Sequence, residues 1–454
     1  MAVQILDIAP MRLLVQQGHS RPYAWRLDQL QRLRKLLLAI EKPLLAALAA
    51  DLGKPALEGY VEISGVRAEL NLAQRQLRNW MAPKPVAVPY VHLPAQAWLQ
   101  PEPLGCVLVL GPWNYPFMLL FKPLVAALAA GNTAVLKPSE QTAQVAALLA
   151  EAVANHFDPS VVALVQGGAS TAQELLQLPF DHIFFTGGAK IGRQVMLAAA
   201  EQLIPVTLEL GGKNPCIVLD DANLEITARR IAWGKFFNAG QTCVAPDYVL
   251  ATAGIRKPLE EAIKAEVESF FGSNPSLSAS YGRLVNQAQF DRLEALLEGT
   301  QLLSGGQRDR KTLYFAPTLV SAEFSQPIMQ EEIFGPLLPL LEVADLASAI
   351  ALVNEREHPL AIYLFSQNRK SQELLLNSSQ SGGVVLNDVV LQAFIATLPF
   401  GGVGASGMGR GHGRHGFETF SNLRSTLKRG FQLDLPFRYP PYGNRLSWLR
   451  RFLD

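Results

Sequence analysis

The spacing of hydrophobic positions changes in blocks along the chain. Over residues 26–52 leucine and alanine recur at helical spacing and the run stops at Gly53, the pattern of an amphipathic helix closed by a glycine. A second helical stretch follows through Trp80. Between Pro83 and Pro103 apolar residues alternate and prolines cluster (VAVPYVHLPAQAWLQP). Proline cannot donate to a strand ladder, so this segment predicts an extended arm or edge hairpin.

From Gly105 the apolar runs VLVL, TAVL, VVALV, HIFF and VTLEL alternate with helical stretches over 117–130, 142–157, 172–178 and 189–203. Short β-rich runs separated by helices predict a parallel sheet with crossovers, covered on both faces, which is a doubly wound nucleotide-binding architecture. After Gly211-Gly212 a second series begins with CIVLD, a helix from Asn223, YVLAT and a helix from Arg256, and runs to VVLN at 384–387. It predicts a second α/β domain. From Gly401 the chain is glycine-rich and then loses its period, so it is assigned to an arm expected to pair with 83–103. The apolar stretch Leu104–Leu136 is broken by Asn114, Pro116, Lys122, Pro123, Gly131 and Asn132, which a membrane helix would rarely accommodate, and it reads as buried core.

A length of 454 residues favours two or three domains. With 49% hydrophobic and 17% charged residues, the chain belongs among well-packed globular enzymes. A formal net charge of +1 and the lack of a basic stretch interleaved with aromatics exclude nucleic acid as a partner. The first residues do not form a secretory signal pattern, so a cytoplasmic location is expected. Cys106, Cys216 and Cys243 cannot all pair with one another, which leaves at least one thiol for chemistry.

Cys243 ends the loop Phe237-Asn238-Ala239-Gly240-Gln241-Thr242-Cys243. A loop thiol is a nucleophile if its thiolate is accessible and favoured, whereas a lone cysteine otherwise serves as a small core hydrophobe. Glu209 ends the VTLEL strand before Gly211-Gly212, where open α/β sheets place ligands; its alternative is a solvated acid or a salt bridge. Asn114, in GPWNYPF, lies just beyond a strand and opens a helix. Its amide can donate to an oxygen that gains charge, or can simply cap the helix. Gly402-Val403-Gly404-Ala405-Ser406-Gly407 satisfies G-x-G-x-x-G but follows no clear strand and opens no convincing helix, so it is not read as a phosphate loop. His412 and His415 lack partner acids or cysteines, so no metal site is expected and a surface or hinge role is assigned.

GPWNYPF, KPSE, FTGG, LELGGKNP, GQTCVAPDY, EEIFGP and LPFGGVGASGMGRGHG, in this order over nearly the whole chain, resemble the aldehyde dehydrogenase superfamily and its class 3, fatty-aldehyde branch. The resemblance implies an α/β fold with a doubly wound Rossmann-like cofactor domain, a second α/β catalytic domain and a small β oligomerisation arm. It assigns an NAD(P)-binding domain to 1–82 and 104–208, a catalytic domain to 209–390, the bridging arm to 83–103 and 391–430, and a C-terminal tail to 431–454. It makes Cys243 the nucleophile, Glu209 the general base and Asn114 the oxyanion donor. For the cofactor it implies Lys137 and Glu140 on the adenosine ribose, Gly187, Gly188 and Gly192 near the pyrophosphate, and Glu332 and Phe334 at the nicotinamide end. NAD is favoured because Glu140 would repel a 2′-phosphate, with NADP admissible. Tyr115, Trp233, Phe237 and Phe394 flank these motifs as candidates for an apolar substrate channel or as plain core.

The activity implied is oxidation of apolar aldehydes, whether medium- or long-chain aliphatic, aromatic or isoprenoid-derived, to acids through a thioester that water hydrolyses. The rivals are a coenzyme A-acylating enzyme and a non-catalytic binding protein of the same fold. A homodimer is implied. The tail from Arg445 to Leu453 combines apolar and basic residues at helical spacing, compatible with peripheral contact with an anionic membrane surface.

Overall fold

The computed structural model describes residues 6–434, 436–447 and 450. The first predicted helix runs Tyr23–Leu52 and ends where Gly53 turns left-handed at φ 58°. Its leucines 30, 33, 37, 44 and 48 are buried, each stabilising the fold by roughly 1.5–3 kcal/mol relative to exposure. They pack against helix Ala56–Met81 and against Met118–Ala130, a helix buried on nearly all sides.

A six-stranded sheet starts from its middle. Cys106–Leu110 is flanked on one side by Thr133–Lys137 and then Val162–Leu164. The chain then crosses to the other side as His182–Gly187 and Val206–Leu210, all parallel. Strand alternation divides the core: Val107, Val109, Ala134, Leu136 and Phe184 face the helices just described, while Cys106, Leu108, Leu110, Val135, Ile183 and Phe185 face a second apolar layer. Because winding reverses between Cys106–Leu110 and His182–Gly187, a crevice opens beyond the carboxyl ends of these two strands.

A seven-stranded sheet follows in the order Gln301–Ser304, Thr318–Ser321, Leu337–Val343, Tyr248–Thr252, Pro215–Val218, Ala361–Phe365 and Gly383–Leu386. Its pairs are parallel except the first. The third sheet is antiparallel, with Lys84–Val86, Ala95–Pro103 and Ser421–Arg429 side by side, so the two segments expected to meet in an arm do pair.

The stretch 391–420 differs from the expected arm. Gly407–Met408 adds an antiparallel edge to the six-stranded sheet beside Val206–Leu210, and helix Gly413–Thr419 buries Phe417 in the first core. Aperiodic sequence here reflects a chain that wraps around a finished body. The G-x-G-x-x-G run forms a short 3-10 turn, Gly404–Ser406, ahead of that edge, so no helix N-terminus is offered to a phosphate. Among the described residues no helix is long and apolar enough to cross a membrane. In the basic-apolar tail, residues 448, 449 and 451–454 lie outside the described residues.

Candidate active site

The loop that carries Cys243 is bent by its own backbone. Helix Leu224–Phe236, capped by the Asn223 side chain accepting from Ile226 N–H at 3.0 Å, ends in a turn where Asn238 and Ala239 both have φ 52° and Gly240 has φ 77°. Left-handed backbone costs non-glycine residues roughly 1–2 kcal/mol each, so the surroundings must hold it. Glu58 accepts from the Asn238 N–H at 2.9 Å, and Asn238 Nδ2 donates to the carbonyls of Asn114 and Gln241 at 3.0 and 3.1 Å. Gln241 Nε2 donates to the carbonyls of Asn238 and Arg283, while its Oε1 accepts from Val285 N–H. A side chain at 240 would put its Cβ 2.2 Å from the Gly335 carbonyl, so glycine is required there.

Beyond the crevice of the first sheet lies a cavity of 320 Å³. Pro112, Trp113 and Asn114 line it from the end of Cys106–Leu110, and Thr186, Gly187 and Gly188 from the end of His182–Gly187. Glu209, Leu210 and Gly211 come from the next strand, Cys243 from the loop, and Glu332 and Phe334 from the second unit. Seven residues singled out from the sequence therefore share one cavity: Asn114, Gly187, Gly188, Glu209, Cys243, Glu332 and Phe334.

Glu209 is buried, which departs from the solvated alternative. Burial pushes its carboxyl up to about 7, against the opposing pull of Lys122 and a hydrogen bond from Thr186. Asn114 is buried and is not a cap: the helix begins at Met118, and Asn114 Nδ2 instead donates to the Gln241 carbonyl at 3.0 Å. Cys243 is half-buried. Burial first, then the carboxylates of Glu332 and Glu209, push its thiol up to about 12, while the backbone N–H groups of Cys243 and Val244 pull it down. Glu332 is pushed up to about 8 by burial and by Asp247. Near pH 7 a largely neutral Glu332 and a partly ionised Glu209 thus face a protonated thiol.

The remaining expected residues sit outside this cavity's wall. Lys137 Nζ ion-pairs with Glu140 at 3.1 Å at the end of the next strand over, Thr133–Lys137. Gly192, in helix Ala189–Glu201, lets the helix approach its strand: a Cβ there would meet Leu210 at 2.7 Å. Tyr115 and Phe237 are buried and stacked with ring centroids 6.4 Å apart, and Trp233 tilts against Phe237 at 5.5 Å. Trp233 and the half-buried Phe394 pack on both major cores.

His412 departs from its surface or hinge reading. It is buried, stacks on Phe400 with centroids 5.2 Å apart and lies 3.2 Å from Lys122 Nζ; His415 is exposed. Among the described residues no cluster of acids, histidines and cysteines could hold a metal.

Several cavity residues were not singled out from the sequence. Trp113 packs edge-on against Phe334 at 5.3 Å, and Leu119, Gln289 and Arg292 complete the wall. Trp113 stood within a recognised motif, which was a usable signal. Arg292 had none; it reaches the cavity from the amphipathic helix Gln287–Leu296, where a cation reads as a solvated face.

The aldehyde dehydrogenase family model matches residues 16–426. Aldehyde dehydrogenase family 3 member A2 of Mus musculus is 44% identical over 452 residues, covering 98% of this chain and 93% of that protein. The dimeric NADP-preferring aldehyde dehydrogenase of Canis lupus familiaris is 44% identical over 434 residues, covering 95% and 96%. Among solved structures, the substrate-bound state of Staphylococcus aureus AldH matches with a TM-score of 0.97 at 39% identity, covering 100% of both chains.

Proposed function

The chain belongs to the aldehyde dehydrogenase family, an oxidoreductase that takes aldehydes and uses NAD or NADP, and we propose that Cys243, Glu209 and Asn114 are its catalytic residues. The observation that carries this reading is that a thiol, a carboxylate held up near neutrality and a side-chain amide, from three separate chain segments, line one cavity.

Cys243 loses its proton to solvent, and its sulfur attacks the aldehyde carbon, forming a C–S bond as the C=O π bond opens to an oxyanion. Asn114 Nδ2 and the Cys243 backbone N–H donate to that oxygen. A nicotinamide held in the cavity would supply the acceptor for the hydride lost by the carbon, which is left as a thioester on Cys243. Glu209 then removes a proton from water, the water oxygen attacks the thioester carbon, and the thiolate leaves as the acid forms. A carboxyl held near 7 suits this step, because the base form is populated at working pH and still drives proton transfer. A base for water is what a coenzyme A-acylating enzyme would not need.

The residues present fit a dinucleotide. Helix Ala189–Glu201 has no side-chain cap, and a Cβ on Gly188 at its start would meet nothing within 4 Å, so its N–H groups are open to a pyrophosphate. Lys137 and Glu140 would hold the adenosine ribose through donor and acceptor groups, Gly192 would keep the helix close to its strand, and Glu332 with Phe334 would hold the nicotinamide end.

The substrate is an apolar aldehyde, aliphatic of medium or long chain, aromatic or isoprenoid-derived. Trp113, Leu119 and Phe334 supply apolar wall beside Cys243, the rings of Tyr115, Phe237 and Trp233 are in series, and Trp233 and Phe394 pack on the same core as Cys243. The domains are cofactor binding over 1–82 and 104–208, catalysis over 209–390 and a bridging arm in the third sheet. A homodimer forms through that arm: strand Ser421–Arg429 pairs on one edge, Leu427 and Phe431 beside it are exposed, and the canine relative is named dimeric. Three free thiols suit a cytoplasmic enzyme.

The test is mass spectrometry of Glu209→Gln after mixing with NAD and an aliphatic aldehyde. An acyl group on Cys243 that persists in this variant and turns over in wild type supports the assignment; no adduct on Cys243 in either protein overturns it.

A further inference from the structure

We propose that the buried ion pair Lys54–Glu62 positions the Asn114 amide; this rests on the oxyanion role proposed for Asn114. Lys54 follows the left-handed Gly53, and Glu62 lies on helix Ala56–Met81. Neither side chain has exposed surface. Lys54 Nζ donates to Glu62 Oε1 at 2.6 Å and to the Asn114 carbonyl at 2.9 Å, and it stands 4.3 Å from the centroid of the Tyr115 ring. The other Glu62 oxygen accepts from the backbone N–H groups of Phe117 and Met118, both at 3.1 Å. These open helix Met118–Ala130, where unpaired N–H groups and the helix dipole favour a carboxylate.

The pair therefore grips both ends of the turn Asn114–Phe117, the ammonium on its first carbonyl and the carboxylate on its last N–H. An Asn amide has two N–H groups. One is committed to the Gln241 carbonyl at 3.0 Å, which leaves the other for the cavity that Asn114 lines. Its aim is set by where the Asn114 peptide sits, and that peptide is held by Lys54 and by Asn238 Nδ2 at 3.0 Å. A buried ion pair adds little stability over a well-packed apolar pair. An apolar pair could not hold a carbonyl and two N–H groups at once, and this is the contribution the geometry assigns to Lys54 and Glu62.

The experiment is a double-mutant cycle with Lys54→Met/Glu62→Gln as one step and Asn114→Ala as the other. Methionine removes the ammonium, and glutamine keeps an acceptor for Phe117 and Met118 without leaving an unpaired carboxylate. In each protein kcat and KM are measured with saturating NAD, together with the urea midpoint and the rate of Cys243 alkylation by iodoacetamide. The expected pair variant is folded, is alkylated at the wild-type rate and loses about tenfold to a hundredfold in kcat with KM little changed. In the Asn114→Ala background the same change costs less than about twofold, because the group it positions is gone. Wild-type kcat in the pair variant, or an equal loss in both backgrounds, overturns the positioning role. Wild-type kcat in Asn114→Ala alone instead overturns the oxyanion reading beneath it. If the pair variant does not fold, Lys54→Gln in the two backgrounds gives the same readout.

Discussion

Thr186 and Glu209 stand in register on neighbouring parallel strands, and the Thr186 hydroxyl donates to Glu209 Oε2 at 3.4 Å. That bond and the Lys122 ammonium favour the ionised carboxylate, but burial outweighs both and the group rises to about 7. The deacylation rate is expected to climb as pH passes through about 7, because only the ionised acid can accept a proton from water. Lys122→Met removes a cation that favours ionisation and moves the inflection to higher pH. Profiles of kcat from about pH 6 to about pH 8, one unit either side of neutrality, check this; coincident profiles for the two proteins would contradict it.

Cys243 faces the carboxylates of Glu332 and Glu209 and rises to about 12. In the cofactor-free enzyme, alkylation by iodoacetamide should keep accelerating through alkaline pH without a plateau near neutrality. Glu209→Gln removes a negative charge, lowers the thiol and speeds alkylation at fixed pH by up to about tenfold for each unit of pKa change. Slower alkylation in this variant would instead make Glu209 the base for the thiol.

Glu140 is exposed and paired with Lys137 at 3.1 Å. Two like charges a few ångströms apart in water repel by about 1 kcal/mol, so Glu140→Gln should shift the NADP to NAD ratio of kcat/KM upward by roughly fivefold. An unchanged ratio removes Glu140 from cofactor selection.

A Cβ at Gly211 would lie 2.1 Å from Glu332 Oε2. Gly211→Ala should push that carboxyl aside and raise KM for NAD by up to about tenfold, the cost of one hydrogen bond, with the urea midpoint close to wild type. A midpoint shift without a KM change would make Gly211 structural alone.

Glu58 is buried, accepts from the Asn238 N–H and is pushed up to about 7 by burial. Between its ordinary 4.5 and about 7 the folded state holds a proton that the unfolded chain has released. Its contribution to stability therefore falls as pH rises through that window. Glu58→Gln should remove this part of the slope, so its unfolding midpoint gains on wild type from acid to neutral pH.

Much of the site was legible because Glu209 and Asn114 fall at the ends of apolar runs, where a doubly wound sheet delivers side chains to its crevice, and because Cys243 ends a small, polar loop after a helix. The strands were legible for the same reason: VLVL, TAVL, HIFF and VTLEL have both faces covered and so read as unbroken apolar runs. Buried charges were not legible. Lys122 sits in an otherwise apolar helix, and Lys54 and Glu62 sit where a solvated face would be expected; their partners are fixed by packing between segments far apart in sequence. His412 was read as surface because its cover, Phe400 and Lys122, comes from a local fold-back and a distant helix. The stretch 391–420 lacked a period because it lies against a body built by others, as Gly407 opposite Glu209 illustrates.

The central claim is a covalent route through Cys243 closed by water. Its most direct test is reduction of NAD, followed by absorbance, by wild type and Cys243→Ala over aldehydes of increasing chain length, without coenzyme A. The account predicts turnover by wild type, fastest on apolar aldehydes, and none by the variant. A wild type silent on every aldehyde, or a Cys243→Ala protein with full activity, would contradict it.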